Sequence, residues 1–388
     1  MARMRPKAKK ETVGRTSVFA RRCRPLLGGE LPLPGRMAPE RGPGEMTSVM
    51  KFVPGDRPSR YRRARLKAVP LALAILGAAM LPTSMETNAA HAATAPCGSL
   101  ASAYKPLSPP KYQHLVVIMD ENLSYAQWKS STQASYTHSL AAACGSETFF
   151  HGATHPSQPN YMAATSGIAS KVGATTAANN IFHQAEAAGN SWKSYEESMK
   201  ANCAGSAGFY KTGHNPAYWY NDLRSPDTGC VSNDLPLSPA MKHDITSDSF
   251  PTFSWITPNL CNDMHWLTGC PAPQASRVAT GDAWLNNLIP QLTALASYQS
   301  GSTLIVLTWD EGSETLTNGV NCTQAAVYTK DPSCQVPAIV VSPYIVPGTT
   351  DATDHNVYGL LGTMQDILGY PRLNGAAGQS SLRGGLRF

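Results

Sequence analysis

The sequence lacks any pair of cysteines at the Cys-x-x-Cys spacing, although its 388 residues include nine cysteines. Zinc ribbons, which need that spacing, are therefore not expected. Cys23 precedes an apolar run near the N-terminus, and eight cysteines follow it: Cys97, Cys144, Cys203, Cys230, Cys261, Cys270, Cys322 and Cys334. An even number in an exported chain indicates disulfides. Sequence alone does not determine the pairing; we expect sequential pairs that close short loops, with several free thiols as the alternative.

The sequence also lacks a long apolar run that would comfortably span a membrane. The run "AVPLALAILGAAMLP" is short for a comfortable span, but it follows the basic stretch "RYRRARLK" and precedes the small residues "NAAHAATA". This order predicts an export signal over residues 50–95, cleaved after Ala92 or Ala95, with an uncleaved anchor as the alternative. Arg62 and Arg63 partly fit a twin-arginine signal. Residues 1–49 show no periodic pattern, and we expect them to be disordered or an upstream extension.

The chain beyond this leader has no net positive charge. The formal net charge is +6, yet residues 1–92 hold 18 of the 32 Lys and Arg residues and 6 of the 26 Asp and Glu residues. The remaining residues therefore carry 14 basic and 20 acidic side chains. An acidic folded region argues against nucleic acid as a partner.

Strand-like and helix-like segments alternate from about residue 112. Apolar runs indicate buried strands at "QHLVVIM", "SWKSYEES", "PTFSWITP", "STLIVLTWDEG" and "PAIVVSPYI". Helices are expected at "YMAATSGIAS" with Ile168 on the apolar face, at "GDAWLNNLIPQLTAL" with a bend or break at Pro290, and at "NVYGLLGTMQDILG" closed by Gly369. This alternation predicts an α/β fold with helices on both faces of a sheet.

The region after the export signal has no internal repeat and no low-complexity linker, so we expect one domain over residues 96–388. Residues 200–250 are rich in Gly, Asn, Pro, Asp and Ser and contain two cysteines. We expect them to form a disulfide-pinned loop region over one edge of the sheet.

Acidic residues follow two of the predicted strands. Glu121 comes directly after the first strand, and Asp310 and Glu311 follow "LIVLTW". Sites in open α/β sheets form beyond the carboxyl ends of the strands, and buried acids there need solvent or a cation. Carboxylate oxygens suit Ca²⁺, Mg²⁺ or Mn²⁺. Each cluster taken alone is also compatible with ordinary loop residues or helix caps.

A hydroxyl and several histidines complete the set. Ser157 lies between two prolines at the start of a predicted helix, where its oxygen meets the positive end of the helix dipole. His155, the pair Asp263 and His265, and His355 accompany it. A hydroxyl, carboxylates and histidines are the groups needed for metal-assisted phosphoryl transfer. Individually, His265 is equally compatible with an ordinary surface histidine.

Eight short motifs occur in order, among them "VVIMDENLSY", "HPSQPNYMAATSG", "WITPNLCNDMHW", "TWDEG" and "DHNVYGLLGTMQDILGYPRL". Together they resemble the phosphoesterase family that includes bacterial phospholipases C and acid phosphatases, within the alkaline phosphatase superfamily. The resemblance covers roughly residues 110 to 375. It implies an alkaline-phosphatase-like three-layer sandwich with a largely parallel central sheet.

The resemblance also implies roles for individual residues. Ser157 would be the nucleophile, Asn122 would contact the phosphoryl group, and His265 or His355 would protonate the leaving group. The remaining candidates are metal ligands, namely Glu121, Asp310, Glu311 and Asp263, and substrate-binding residues, namely Asn160, His155 and His214. One or two divalent ions are implied. Glu311 stands where two-zinc relatives carry a histidine, and this difference favours a single metal ion. The identity of the ion stays open among Ca, Mg, Mn and Zn.

The substrate is less well defined than the chemistry. We expect a secreted phosphomonoesterase of acid-phosphatase type, because no amphipathic stretch of membrane-binding type is present. A phospholipase C acting on phospholipid head groups is the first alternative. A non-catalytic secreted binding protein on the same fold is the second, although the nucleophile and the acids are present. A sulfatase is disfavoured, because "SQPNY" lacks the required C/S-x-P-x-R pattern.

Overall fold

The computed structural model describes residues 95–224, 229–314 and 317–388. The predictions for residues 1–49 and for the export signal therefore lie outside the described residues, apart from residue 95. The described residues form one nine-stranded sheet in the order β4-β3-β5-β1-β6-β7-β2-β8, with β9 paired to β2. The strands are β1 His114–Asp120, β2 Gly145–His151, β3 Trp192–Glu196, β4 Asp234–Pro236, β5 Phe253–Thr257, β6 Thr303–Trp309, β7 Gln335–Val341, β8 Thr349–Asp351 and β9 His355–Asn356.

The sheet is parallel except at one strand. β7 runs antiparallel to both β6 and β2, and the other pairings are parallel. β1, β5 and β6 are central, and nearly all of their residues are buried. Strands buried on both faces read as continuous apolar runs, which is why "LVVIM" and "LIVLTW" were recognisable as strands. The predicted fold class, a largely parallel sheet covered by helices, is confirmed.

The described helices pack in two groups against this sheet. They are α1 Tyr125–Ser130, α2 Ser135–Ala143, α3 Ser157–Ser166, α4 Ile181–Ala187, α5 Cys230–Asn233, α6 Leu237–Ser247, α7 Gln274–Thr293, α8 Ala296–Gln299, α9 Ala325–Tyr328, α10 Val357–Leu368 and α11 Arg383–Leu386. α3 packs against α4 and α10, whereas α2 packs against α7. None of these described helices combines the length and hydropathy needed to cross a bilayer.

Most of the predicted elements are confirmed, with two corrections to the helices. α7 runs through Pro290 to Thr293, so the predicted break is wrong. Pro290 lies in the last turn, where it removes a single backbone hydrogen bond, and the buried Leu288 and Leu292 hold that turn in place. α3 ends at Ser166, so Ile168 lies beyond the helix and is exposed rather than on its apolar face. The predicted end of α10 at Gly369, with φ of 75°, is confirmed.

Four disulfides join the eight cysteines in sequential pairs, as expected: Cys97–Cys144, Cys203–Cys230, Cys261–Cys270 and Cys322–Cys334. The second of these pins the region from 200 to 250, in agreement with the prediction. That region is not only loop, however, because it also supplies the edge strand β4 and helix α6. The short β4 lacked a pattern long enough to be recognised in the sequence.

Two buried carboxyl groups lie side by side where β3 meets β4. Ser194 donates to Glu196 Oε1 at 2.7 Å, and Asn215 donates to Asp234 Oδ1 at 2.8 Å. The second oxygen of each carboxyl group has no hydrogen-bond partner among the described residues. Burial raises the pKa of Asp234 to about 7, and burial together with the charge of Asp234 raises the pKa of Glu196 well above its usual value. The folded chain therefore favours the protonated forms.

This pair predicts that the protein is more stable in acid. Carboxyl groups with raised pKa values stabilise the fold at low pH, and that contribution is lost as the pH rises toward and past about 7. Glu196→Gln supplies a permanent N–H in place of the proton and should flatten this dependence. Thermal unfolding of both proteins between about pH 4 and about pH 8 measures it. Equal pH dependence in wild type and variant would contradict the prediction.

Candidate active site

The candidate site lies at the carboxyl ends of the three central strands. Glu121 follows β1, Asp310 and Glu311 follow β6, and Asp263 lies in the loop after β5. The Glu121 N–H donates to the Asp263 carbonyl at 2.8 Å, and the Asp310 N–H donates to the Asp120 carbonyl at 3.1 Å. These backbone bonds fasten the three loops to one another. Their acids converge because parallel neighbouring strands end at the same edge.

Ser157 is the first residue of α3, as the sequence predicted for a hydroxyl at a helix start. Pro156 precedes it as the N-cap, and no side chain in the described part of the chain caps this end. Pro159 falls in the first turn, where a missing N–H costs no helical hydrogen bond. The first-turn N–H groups of α3 therefore stay available to an anion.

The Ser157 hydroxyl contacts carboxylates from two different loops. Its Oγ donates to Glu121 Oε2 at 2.8 Å and lies 3.3 Å from Glu311 Oε1. Ser157 is 8% exposed, and both acids are buried. The predicted nucleophile and two of the predicted metal ligands are thus brought together.

The buried acids around Ser157 repel one another. Burial, and then the charges of Asp310 and Asp263, raises the pKa of Glu121 well above its usual value. Burial and the charge of Glu311 do the same for the pKa of Asp310. One Asp310 oxygen and both Asp120 oxygens lack a hydrogen-bond partner among the described residues. Such a set needs either protons or a cation.

His214 lies between two of these acids. Its Nε2 is 3.3 Å from Glu121 Oε1, and its Nδ1 is 3.2 Å from Asp263 Oδ2. Burial lowers the pKa of His214 to about 3, so the ring is neutral and has one N–H for two acidic neighbours. Burial raises the pKa of Asp263 to about 8, so this carboxyl group can itself carry the proton in its contact with His214 Nδ1. Asp263 therefore lies behind His214 and supports it.

His265 lies at the mouth of this cluster. Its ring centre is 5.5 Å from that of His214, and its backbone N–H donates to Asp263 Oδ1 at 2.7 Å. Burial, and then the neighbouring His214, lowers the pKa of His265. One ligand atom each from Glu121, His214 and His265 lies within 4.8 Å of the others. The structure thus places the predicted His265 beside His214 and Glu121.

His155 is placed differently from its predicted role in substrate binding. Nδ1 contacts Glu311 Oε2 at 2.5 Å, and Nε2 contacts the Ser333 hydroxyl at 2.9 Å, with Asp331 Oδ2 at 3.7 Å. The ring is buried, and both of its nitrogens are used by the protein. His155 therefore holds Glu311 from behind.

The two predicted asparagines also bind protein groups. Asn122 has φ of 55°, a conformation that asparagine tolerates, and its side chain donates to Glu121 Oε2 at 3.1 Å. Asn160 accepts from the backbone N–H groups of Ala153 and Thr154 and donates to the Thr154 carbonyl. Asn160 thus braces the loop that leads to Ser157, while Asn122 stays next to the carboxylates.

His355 is the predicted residue that the structure keeps apart from this cluster. Its Nδ1 contacts Glu147 Oε2 at 3.0 Å on the other side of β7. Burial of the ring alone lowers its pKa, but the carboxylates of Glu147 and Asp351 reverse the effect, and the pKa is raised. Among the described contacts, none joins His355 to Ser157 or to the acids around it.

Sequence reasoning missed two supporting groups. Tyr161 stacks on the His214 ring, with the ring centres 5.5 Å apart and the planes 6° from parallel. It lies four residues after Ser157, so helical spacing could have placed it one turn below the hydroxyl. Asp331 and Ser333, which hold His155, carried no local signal because they are distant in sequence.

A cavity of about 810 Å³ lies beside the loop that carries His155 and is lined in part by Pro156, Lys171 and Tyr358. Ser157 and the acids that surround it do not line it. The cavity therefore lies next to the loop that leads to Ser157 and is separate from the cluster of acids.

The donor set fits a cation. Three buried acids, Glu121, Asp310 and Glu311, belong to the residue types that bind divalent ions. Glu121 Oε1 and Asp310 Oδ2 have no hydrogen-bond partner among the described residues, and Glu121 Oε2 and Glu311 Oε1 both face the Ser157 hydroxyl. A cation would relieve their mutual repulsion and complete the coordination of those oxygens.

Known proteins are similar to this chain over much of its length. A model of the phosphoesterase family matches residues 127–371. Phosphatidylinositol-3-phosphatase from Mycobacterium tuberculosis is 29% identical over 272 residues, which cover 68% of this chain and 79% of that protein. An acid phosphatase from Aspergillus fumigatus is 25% identical over 251 residues, covering 58% of this chain and 48% of that protein. A probable acid phosphatase from Kluyveromyces lactis is 23% identical, covering 59% and 54%. The aligned region thus spans about half the length of the two fungal relatives.

Two solved structures align with most of this chain at low sequence identity. A protein in the alkaline phosphatase superfamily from Vibrio parahaemolyticus has a TM-score of 0.49 at 10% identity, covering 70% of this chain and 71% of that one. A phosphonate monoester hydrolase of Agrobacterium radiobacter has a TM-score of 0.47 at 12% identity, covering 72% and 77%.

The position of His155 predicts how a variant behaves. His155→Gln removes the brace on Glu311, so kcat for p-nitrophenyl phosphate should fall roughly 10- to 100-fold with little change in KM. A residue that bound substrate directly would instead raise KM. His183→Gln, the same change at a half-exposed histidine on α4, is the matched control and should leave both constants unchanged. A rise in KM without loss of kcat would restore the substrate-binding role.

Proposed function

The chain belongs to the phosphoesterase family and is a hydrolase that acts on phosphoric esters, and from this premise we propose that it is an exported, metal-dependent phosphomonoesterase of acid-phosphatase type with Ser157 as nucleophile. One observation carries the proposal: the Ser157 hydroxyl lies at the uncapped end of α3, 2.8 Å from Glu121 and 3.3 Å from Glu311. A hydroxyl in this position would have a carboxylate beside it to accept its proton and backbone N–H groups to bind a phosphoryl group.

In the proposed reaction Ser157 attacks phosphorus in line with the leaving group. The Oγ–P bond forms as the bond between phosphorus and the leaving oxygen breaks, and the hydroxyl proton passes to the carboxylate that Ser157 contacts. The first-turn N–H groups of α3 donate to the phosphoryl oxygens. Water then attacks phosphorus from the vacated side and gives one proton to the histidine that protonated the leaving group. The Oγ–P bond breaks, the carboxyl group returns its proton to Ser157, and phosphate leaves.

Glu121, Asp310 and Glu311 would hold the divalent ion in this proposal. When bound, the ion would neutralise charge on the phosphoryl oxygens and lower the pKa of the hydroxyl. The oxygen-rich set suits Ca²⁺, Mg²⁺ or Mn²⁺, whereas the neighbouring imidazoles of His214 and His265 add nitrogen donors that suit Zn²⁺.

His265 is better placed than His355 to protonate the leaving group. His265 lies beside His214 at the mouth of the cluster, whereas His355 contacts Glu147 elsewhere in the sheet. Because the pKa of His265 is lowered, its protonated form is populated in acid, which supports an acid working range.

A phosphomonoester carried on a lipid head group is the second candidate substrate. Trp266 follows His265 directly and is 60% exposed, and Phe209 is 39% exposed near the same disulfide-closed loop. Exposed aromatic side chains beside a site suit an amphipathic substrate. The relative from Mycobacterium tuberculosis is named for a phosphoinositide, which supports this candidate.

Export is proposed from the cysteines together with the leader. Four disulfides agree with an oxidising compartment. A basic leader followed by an apolar run supports the same proposal.

Ser157→Ala should lower kcat for p-nitrophenyl phosphate by on the order of 10³-fold or more, because the variant lacks the attacking oxygen. Acid quenching of the wild type during turnover, followed by mass spectrometry, should find phosphate on the peptide that contains Ser157. Ser139→Ala on the exposed face of α2 is the control and should keep full activity. Near-normal turnover by Ser157→Ala would remove the nucleophile assignment.

Chelation should abolish hydrolysis, because the buried acids would then repel both one another and the phosphoryl group. The full chain is treated with EDTA, and Ca²⁺, Mg²⁺, Mn²⁺ and Zn²⁺ are added back separately across about pH 4 to about pH 9. Recovery with one ion identifies the cofactor.

The same assay identifies the substrate class when it is run on p-nitrophenyl phosphate, on vesicles with phosphoinositide, and on phosphatidylcholine vesicles. Release of choline phosphate without monoester hydrolysis would favour a phospholipase C.

Activity that EDTA and exhaustive dialysis leave unchanged would contradict metal dependence.

A further inference from the structure

A second cluster of metal-ligand side chains lies on the sheet beyond β7, apart from Ser157. Glu147 comes from β2, Asp351 ends β8, and His355 begins β9. β2 pairs with both short strands, so that Glu147 is opposite Asp351 and Phe150 is opposite His355. Three strands thereby bring together residues separated by more than two hundred positions in sequence.

The three side chains are close and buried. His355 Nδ1 is 3.0 Å from Glu147 Oε2 and 3.9 Å from Asp351 Oδ2. One ligand atom from each lies within 4.8 Å of the other two. Glu147 is 0% exposed, His355 2% and Asp351 9%. Ligand atoms about 2.0–2.2 Å from one zinc ion in a tetrahedral site are separated by roughly 3.0–3.5 Å. The His355–Glu147 separation of 3.0 Å lies in this range, and the His355–Asp351 separation of 3.9 Å is slightly longer.

The cluster has more negative charge and more acceptors than its neighbours satisfy. Glu147 Oε1, Asp351 Oδ2 and His355 Nε2 have no hydrogen-bond partner among the described residues. His355 is the only described cationic side chain that pairs with either acid. Even a protonated His355 would leave one carboxylate uncompensated, and an unpaired buried charge is costly.

The surroundings hold the acids in position. Asp351 Oδ1 accepts from the backbone N–H of Thr353 at 2.9 Å and from its hydroxyl at 2.7 Å, so Oδ2 is left facing inward. α11 packs over β8 and β2. A Cβ atom at Gly385 would lie 1.8 Å from Asp351 Oδ2, so only glycine lets the α11 backbone come this close to the carboxylate.

We propose that Glu147, Asp351 and His355 bind a divalent transition-metal ion, with Zn²⁺ as the matching probe, at a structural site distinct from the reaction centre. One imidazole nitrogen and two carboxylate oxygens are a donor set that Zn²⁺ accepts. The ion offsets the charge of the two acids and joins the short strands β8 and β9 to β2. It takes no part in phosphoryl transfer, because none of its ligands contacts Ser157 or the acids around it.

The test counts bound zinc in the full chain. The protein is stripped with chelator, incubated with Zn²⁺, separated from free metal, and analysed by elemental mass spectrometry. Glu147→Gln/Asp351→Asn should bind one equivalent less than wild type. Asp354→Asn is the matched control, since this half-exposed acid pairs with His151 and Tyr328 and lies outside the cluster. It should bind as much zinc as wild type.

Glu121→Gln/Asp310→Asn separates this site from the reaction centre. That variant should lose activity yet keep one zinc equivalent and a rise in melting temperature on adding Zn²⁺. Glu147→Gln/Asp351→Asn should lose that rise. If the proposed reaction-centre metal is wrong, wild type binds a single equivalent, which only the Glu147→Gln/Asp351→Asn variant loses.

Equal zinc content in wild type and Glu147→Gln/Asp351→Asn would overturn the proposal and leave an ordinary ion pair. If that variant does not fold, Co²⁺ in Glu121→Gln/Asp310→Asn gives the answer by X-ray absorption. One nitrogen and at least two oxygen ligands around the cobalt support the site, and a fully hydrated or absent cobalt overturns it.

Discussion

Electrostatic repulsion among buried carboxylates is the constraint on which the rest of this structure depends. Parallel packing of β1, β5 and β6 brings the acids that follow them to one edge, where they are buried. Burial and the neighbouring acids raise the pKa of Glu121 and the pKa of Asp310, and such a set needs protons or a cation between its members. The same condition that makes the cluster costly makes it a fitting place for a cation.

The loops around the cluster are fastened to reduce their freedom. Cys261–Cys270 closes the short loop that carries Asp263 and His265, and Cys322–Cys334 lies against the His155 ring. Asn160 binds the backbone that leads to Ser157. Repelling groups stay close only if their backbone cannot move apart, so these links hold the acids together as much as they stabilise the fold.

Long, fully buried strands and polar residues at their ends were predictable because their signal is local. β1 and β6 are continuous apolar runs, and Glu121, Asp310 and Glu311 follow them directly. β2 was missed, because "GSETFFH" mixes polar and apolar residues where the sheet buries Glu147 and His151. His355 was grouped with the reaction centre because sequence order does not reveal that β7 separates β2 from β6.

The sequence by itself determined the α/β class and predicted that Glu121, Asp310 and Glu311 follow buried strands and that Ser157 begins a helix. It favoured the sequential cysteine pairs without determining them. Each of these depends on apolar periodicity, on close spacing or on an ordered series of motifs. Only the tertiary structure decided that His155 stands behind Glu311, that His214 lies between Glu121 and Asp263, and that His355 joins Glu147 and Asp351. These partners are far apart in the chain. A side chain's role follows from which neighbours use its nitrogens and oxygens, and folding alone chooses those neighbours.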